Sequence, residues 1–194
     1  MHGNESTGTR SMLDVFEFLN LDSEWCNEIL NKFTFHFIPM LNPDGAALYT
    51  RRNACGIDLN RDFIKESSPE IRILKDFVKN RKFELMFNLH DQRTIFNIEN
   101  TNEPATLSFL APSADIQRSM TDSRRQLMSI ISYLNSNLQK YIPGKVGRFS
   151  DEFYPTSTGD NFTQMGIPTM LIESGHYPND YQRDHTRRFH TLAI

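Results

Sequence analysis

The sequence predicts an α/β fold: a mixed, largely parallel, twisted sheet with helices on both faces. Three observations predict it. Runs such as Phe83–Leu89 and Pro168–Ile172 are mostly apolar rather than alternating, the pattern of strands covered on both sides. Stretches with helical apolar spacing separate these runs, as crossover connections require. Two of the runs end on a chemically capable residue, His90 and Glu173, and open α/β sheets gather functional groups at their carboxyl ends.

Taken in order, residues 9–20 place Met12, Val15, Phe16 and Leu19 on one helical face. Ser23 caps a second helix reaching about Phe33. Thr34–Met40 alternates and reads as a strand, stopped by the turn sequence Asn42-Pro43-Asp44-Gly45. Residues 46–67 read as irregular. Ser68-Pro69-Glu70 opens a helix running to about Lys82, with Pro at its first position. Strands follow at Phe83–Leu89 and Ala105–Leu110. A long amphipathic helix spans Met120–Tyr141 and ends at Pro143-Gly144. A short buried strand at Pro168–Ile172 and a helix from Asp180 to Ala193 complete the series.

The chain has 194 residues, enough for one domain, and its 15 Phe supply material for a core. Its 21 basic and 24 acidic residues give a formal net charge of −3, which excludes a nucleic-acid module relying on a basic face. The longest apolar runs, such as Met170-Leu171-Ile172, are too short to span a bilayer, so no membrane partner is expected. Cys26 and Cys55 form neither a disulfide framework nor a CxxC pair. Unpaired cysteines and the lack of a secretory signal pattern lead to an expectation of the cytoplasm. The sequence assigns no oligomeric state.

Four groups of residues can do chemistry. His2 and Glu5 are three positions apart, and an imidazole and a carboxylate so spaced can face one point and bind zinc. With six His in the chain, chance supplies roughly 0.3 such pairs, so the pair needs context. A solvated terminal His is the plainer reading. His90 is the natural third ligand, against a hydrogen-bonded histidine at a strand end. His36 reads as a core or face residue. His185 and His190 read as solvated on a charged helix, and His176 as a residue near the site. The stretch Arg51-Arg52-Asn53-Ala54-Cys55-Gly56-Ile57-Asp58-Leu59-Asn60-Arg61-Asp62-Phe63 offers an anion-binding surface, because Arg grips carboxylates bidentately. Its alternative is an ordinary basic loop. Glu173, at the end of an apolar run, can shuttle a proton beside a metal or simply pair with an Arg.

Together these segments resemble the zinc carboxypeptidase family, the funnelins, of bacterial type. His2-Gly3-Asn4-Glu5 looks like its HxxE pair, Asn42-Pro43-Asp44-Gly45 like its NPDG turn, and Gly56-x-Asp58-Leu59-Asn60-Arg61-x-Phe63 like its GxDLNRxF segment. His90 and Glu173 fall where the family's third ligand and catalytic glutamate stand, all in the family's order. The resemblance implies a hydrolase, a zinc-dependent metalloprotease removing the C-terminal residue of peptides with a free carboxylate. It implies Zn2+ held by His2, Glu5 and His90, with Asp58 orienting a ligating imidazole. Asn60 and Arg61 would clamp the terminal carboxylate. Arg51 would stabilise the oxyanion, Arg52 taking that place if the register slips by one. Glu173 would be the general acid/base and Tyr154 the mobile tyrosine.

Asp62 departs from the family's usual Asn, and His90-Asp91-Gln92-Arg93 puts charge directly after the third ligand. Family members enter HxxE from a strand, so residues 1–194 are expected to be a single catalytic domain lacking upstream strands, with native chain before Met1 and possibly past Ile194. Two other functions fit part of the pattern. A deacylase of the aspartoacylase and succinylglutamate desuccinylase branch shares HxxE, DLNR and a late His and Glu. A non-catalytic peptide-binding domain would keep the fold and lose the metal.

Overall fold

A computed structural model describes all 194 residues. Its elements are α1 (Thr7–Leu19), α2 (Glu24–Lys32), α3 (Pro43–Ala47), a 3₁₀ turn (Leu59–Arg61), α4 (Pro69–Lys79), β1 (Met86–Asp91), β2 (Leu107–Leu110), α5 (Asp122–Leu138), β3 (Val146–Arg148), α6 (Thr158–Gln164), β4 (Thr169–Ser174) and α7 (Asp184–Ala193). The strands form one sheet in the order β1-β4-β2-β3. β1 and β4 are parallel, as are β2 and β3, while β2 and β4 are antiparallel. This is the mixed, largely parallel sheet that the apolar runs predict.

Local chemistry sets the helix starts. Ser23, Ser68, Thr121 and Ser157 each accept an N–H from the first turn of the helix that follows. Each such cap stabilises by about 1 kcal/mol. Helices then cover both faces. On one, Met170, Ile172, Leu107 and Phe109 pack with Leu127 of α5 and Phe189 of α7 in one buried cluster, with Leu89 alongside. On the other, Leu59, Phe63, Ile71, Leu74 and Val78 form a second cluster with Phe162 of α6, and Met86 of β1 joins it. Burying one such Leu or Phe contributes about 2 kcal/mol. The face of β1 carrying Met86 also carries Asn88 and His90, because side chains alternate along a strand.

Several expectations need correction. Thr34–Met40 is extended but is not a strand. Phe37 packs on Phe16 and His36 on Phe77 and Phe83, yet no backbone group of residues 34–40 bonds another backbone group. Alternation alone does not make a strand, which needs a neighbour for its N–H and C=O groups. His190 is not solvated: it is fully buried and its Nδ1 meets Ser174 Oγ. β1 starts later than expected and β4 continues to Ser174, so His90 and Glu173 stand inside their strands. Asp62 accepts from Ser67 N–H, Ser68 N–H and the Ser68 hydroxyl at 3.1, 2.8 and 2.7 Å. Its departure from the family's Asn therefore serves the start of α4.

Candidate metal centre and its surroundings

Glycine sets the position of the first two candidate ligands. His2 and Glu5 lie in a tight turn just before α1, closed by Glu5 N–H on His2 C=O at 3.2 Å. A Cβ on Gly3 would stand 2.0 Å from the Gly45 carbonyl carbon, and one on Gly45 would stand 2.4 Å from Asn42 Nδ2. The two backbones therefore touch where both residues lack side chains. Asn42 caps α3 by accepting Gly45 N–H at 2.9 Å, and its Nδ2 donates to Arg51 C=O at 3.3 Å. The Asn-Pro-Asp-Gly turn is thus the floor on which the His2–Glu5 turn rests.

His90 arrives on β1. Its Nδ1 lies 2.8 Å from Glu5 Oε2, while His2 Nδ1 lies 2.7 Å from Glu5 Oε1. The imidazole centroids are 4.9 Å apart. Donor atoms of His2, Glu5 and His90 all fall within 4.8 Å of one another. On its other side His2 Nε2 meets Asp58 Oδ1 at 3.1 Å. Both ring nitrogens of His2 therefore face carboxylate oxygens, Nε2 that of Asp58 and Nδ1 that of Glu5. His2 Nδ1, His90 Nδ1 and the two Glu5 oxygens thus converge in one buried site, with Arg51 Nη1 at its edge, 3.2 Å from His2 Nδ1. Two imidazoles and one carboxylate suit zinc, and the donor set leaves a coordination position for water.

The electrostatics agree. Burial lowers His90 to about 4, against the opposing pull of Glu5, so the ring is neutral at pH 7 as a metal ligand must be. Burial pushes Glu5 up, but its hydrogen-bond contacts with His2 and His90 hold its carboxyl well below the usual range. Asp58 is likewise held low: His2 and Arg51 outweigh its desolvation. Glu173 behaves oppositely. Burial, then the charges of Glu5 and Asp91, push it up to about 8, with Arg51 pulling the other way. It pairs in register with His90 and points to the same face of the sheet. No protein group hydrogen-bonds its carboxyl, which leaves it available to an external proton.

Arg51 is fixed by two anions. Its Nε donates to Asp58 Oδ2 at 2.9 Å and its Nη1 to Glu5 Oε1 at 3.3 Å, with Nη1 also 3.2 Å from His2 Nδ1. Its Nη2 makes no protein hydrogen bond. Arg52 instead donates to Gly56 C=O at 2.8 Å and ties up its own loop. Asn60 and Arg61 stand beside this corner, because Asp58 Oδ1 also accepts Asn60 N–H at 3.0 Å. Asn60 Oδ1 accepts Thr158 N–H at 3.1 Å, joining the loop to α6. The Arg61 guanidinium lies 5.4 Å from the Tyr154 ring centroid, and Tyr154 OH donates to Glu152 at 3.1 Å. His2, Glu5, His90, Asp58 and Arg51 thus form one contiguous cluster, Asn60 joins it through Asp58, and Arg61 and Tyr154 meet each other next to Asn60. Reading the sequence missed Gln92 and Ser108, which bond across β4 at 3.0 Å. Gln92 follows His90 by two, and strand periodicity is the signal that would have found it. Gly175 makes the crossing possible, since a Cβ there would stand 2.6 Å from Gln92 Oε1.

Comparison with known proteins adds the family. The family model described as zinc carboxypeptidase matches residues 1–165. Human carboxypeptidase D is 25% identical over 190 residues, covering 87% of this chain and 13% of its own length. Carboxypeptidase 2 of Trichophyton tonsurans is 31% identical over 91 residues, covering 47% of this chain and 17% of its own length. The chain therefore spans less than a fifth of the curated relatives it matches. A metallo-carboxypeptidase structure from Burkholderia cenocepacia superposes with a TM-score of 0.70 at 17% identity, covering 99% of this chain and 53% of that one. A succinylglutamate desuccinylase/aspartoacylase structure from Rhodobacter sphaeroides gives 0.57 at 14% identity, covering 100% of this chain and 50% of that one. At these identities both structures speak to the fold.

Proposed function

This chain belongs to the zinc carboxypeptidase family, and we propose that its site hydrolyses the C-terminal residue of peptides with the aid of Zn2+ held by His2, Glu5 and His90. One observation carries the proposal: the Nδ1 atoms of His2 and His90 approach the two oxygens of one carboxylate, at 2.7 and 2.8 Å, with Glu173 in register beside His90. When bound, zinc supplies Lewis acidity toward a carbonyl and makes a water more acidic.

The protein's own groups do the rest. Glu173 takes the proton of the attacking water and returns it to the leaving amine, a role suited to a carboxylate whose burial raises its proton affinity. Binding of a cation beside it opposes that rise and brings the group toward its working range. Arg51, clamped by Asp58 and Glu5, presents Nη2 as a fixed donor where negative charge develops on the substrate oxygen. Arg61 and Asn60 hold the peptide's terminal carboxylate, which limits cleavage to the last bond, and Tyr154 covers the bound residue. Residues 1–194 act as the catalytic unit in this reading.

The test compares the protein with Glu173→Gln on a blocked dipeptide and on an N-acyl amino acid, with metal content measured on the same samples. Zinc near one per chain, and dipeptide hydrolysis lost in the variant, are expected. Preferential hydrolysis of the N-acyl amino acid would favour the deacylase function. A protein without zinc that binds peptides unchanged would be a binding domain.

A further inference from the structure

The face of the sheet opposite the candidate ligands carries a second, buried polar network. Asp91 and Ser174 are register partners at the ends of β1 and β4. Asp91 Oδ2 accepts twice from Thr7, from its N–H at 3.2 Å and its hydroxyl at 2.9 Å. Arg183 Nε donates to Thr7 Oγ1 at 2.6 Å, and its Nη2 donates to Ser174 C=O at 3.0 Å. The same Nη2 lies 3.6 Å from Asp91 Oδ1, an ion-pair contact rather than a hydrogen bond. The Asp91 backbone N–H, on the edge strand, donates to Glu5 Oε2 at 3.2 Å.

Two features set this network apart from ordinary buried polarity. Thr7 is the first residue of α1, and the residue before it, Ser6, makes no side-chain bond to the helix. The free N–H groups of that turn need an acceptor, and a carboxylate suits the positive end of a helix best. Asp91 supplies it from a different element. The second feature is position along the chain. Glu5 and His90 are 85 residues apart, so covalent geometry does nothing to set the gap between them. Thr7 follows Glu5 by two and Asp91 follows His90 by one.

We propose that Thr7, Asp91 and Arg183 are positioning residues that fix the turn carrying His2 and Glu5 against the strand carrying His90, and so set the site's affinity for zinc. The inference rests on the metal site proposed above. Arg183 is the outer strut: it holds the Thr7 hydroxyl in the orientation that donates to Asp91 and places positive charge beside a buried carboxylate. Without it, Asp91 is an anion held only by Thr7, and the turn and strand are free to separate by the fraction of an ångström to which metal coordination is sensitive.

The test uses Thr7→Val, which keeps shape and removes the hydroxyl, Thr7→Ser, which restores it, and Arg183→Met at a partly exposed side chain. Zinc dissociation constants come from competition with a chromophoric chelator, and cobalt substitution reports ligand geometry through its visible bands. Thr7→Val and Arg183→Met are expected to weaken zinc binding about tenfold or more, with altered cobalt bands, and Thr7→Ser to stay within about threefold of the parent. If Thr7→Val does not fold, Arg183→Met carries the same comparison. Parental zinc affinity in Thr7→Val or Arg183→Met, even with a lowered unfolding temperature, would overturn the inference and leave the metal site standing. A parent protein that binds no zinc would remove the metal site and this inference together.

Discussion

The proposed metal corner and the proposed carboxylate clamp adjoin each other but are built differently. In the corner, Glu5 gathers His2, His90, Arg51 and the Asp91 N–H, and Asp58 gathers His2, Arg51 and the Asn60 N–H. In the clamp, Arg61 donates once to its neighbour's carbonyl and lies over Tyr154, a residue that is 45% exposed. The first region fixes charges before any reactant arrives, the condition under which electrostatic stabilisation is most effective. In the second, Arg61 and Tyr154 are exposed, while Asn60 is buried and bonded to Thr158 N–H. Damage to the corner should therefore abolish chemistry, whereas damage to the clamp should weaken binding.

The largest effect expected is for His90→Ala. Losing one of three donors should remove stoichiometric zinc and all hydrolysis, measured by elemental analysis and dipeptide assay; a variant that keeps its zinc would erase the distinction between the two regions. Glu173→Gln should lower kcat by about 10²–10⁴ while zinc content stays at the parental level. Arg61→Met should act on the other side of the comparison, raising KM about tenfold to a hundredfold with kcat changed only a few-fold. A fall in kcat with KM unchanged would place Arg61 in the corner rather than the clamp.

The smallest effect concerns pH. Glu173 is raised to about 8 in the folded, metal-free protein from an ordinary 4.5. The folded chain then keeps a proton that the unfolded chain releases, so this group's contribution to stability falls as pH rises from about 5 to 8 and is flat above that. The slope from one group cannot exceed about 1.4 kcal/mol per pH unit. Denaturant melts of metal-free parent and Glu173→Gln at pH 6 and pH 8.5 should show the parent losing stability relative to the variant. Parallel curves would mean that Glu173 is ionised and solvated.

The corner was legible because its parts lie in short segments whose order and residue types are distinctive: His2 with Glu5, the Asn42–Gly45 turn, Asp58 to Arg61, His90 and Glu173. What the letters did not show is which contacts hold them. Gly3 against Gly45 is a backbone contact between distant residues, and Thr7 with Asp91 and Arg183 joins three elements. β3 has only three residues and exists as a strand because β2 offers it partners. α6 buries Thr158, Gly159, Asp160, Asn161 and Phe162, so it has no apolar stripe to detect. Thr34–Met40 failed the other way, with a strand's pattern and no strand beside it. His190 looked solvated because its neighbours are charged, yet it faces Ser174 inside the protein.

In the proposed site two imidazoles and one carboxylate, brought from distant parts of the chain, hold a single divalent ion. Zinc K-edge X-ray absorption on the purified protein tests it most directly. The account predicts one zinc per chain with two imidazole nitrogens and carboxylate oxygen in its coordination sphere, and loss of imidazole scattering in His90→Ala. A spectrum with no imidazole contribution, or one that His90→Ala leaves unchanged, would contradict it.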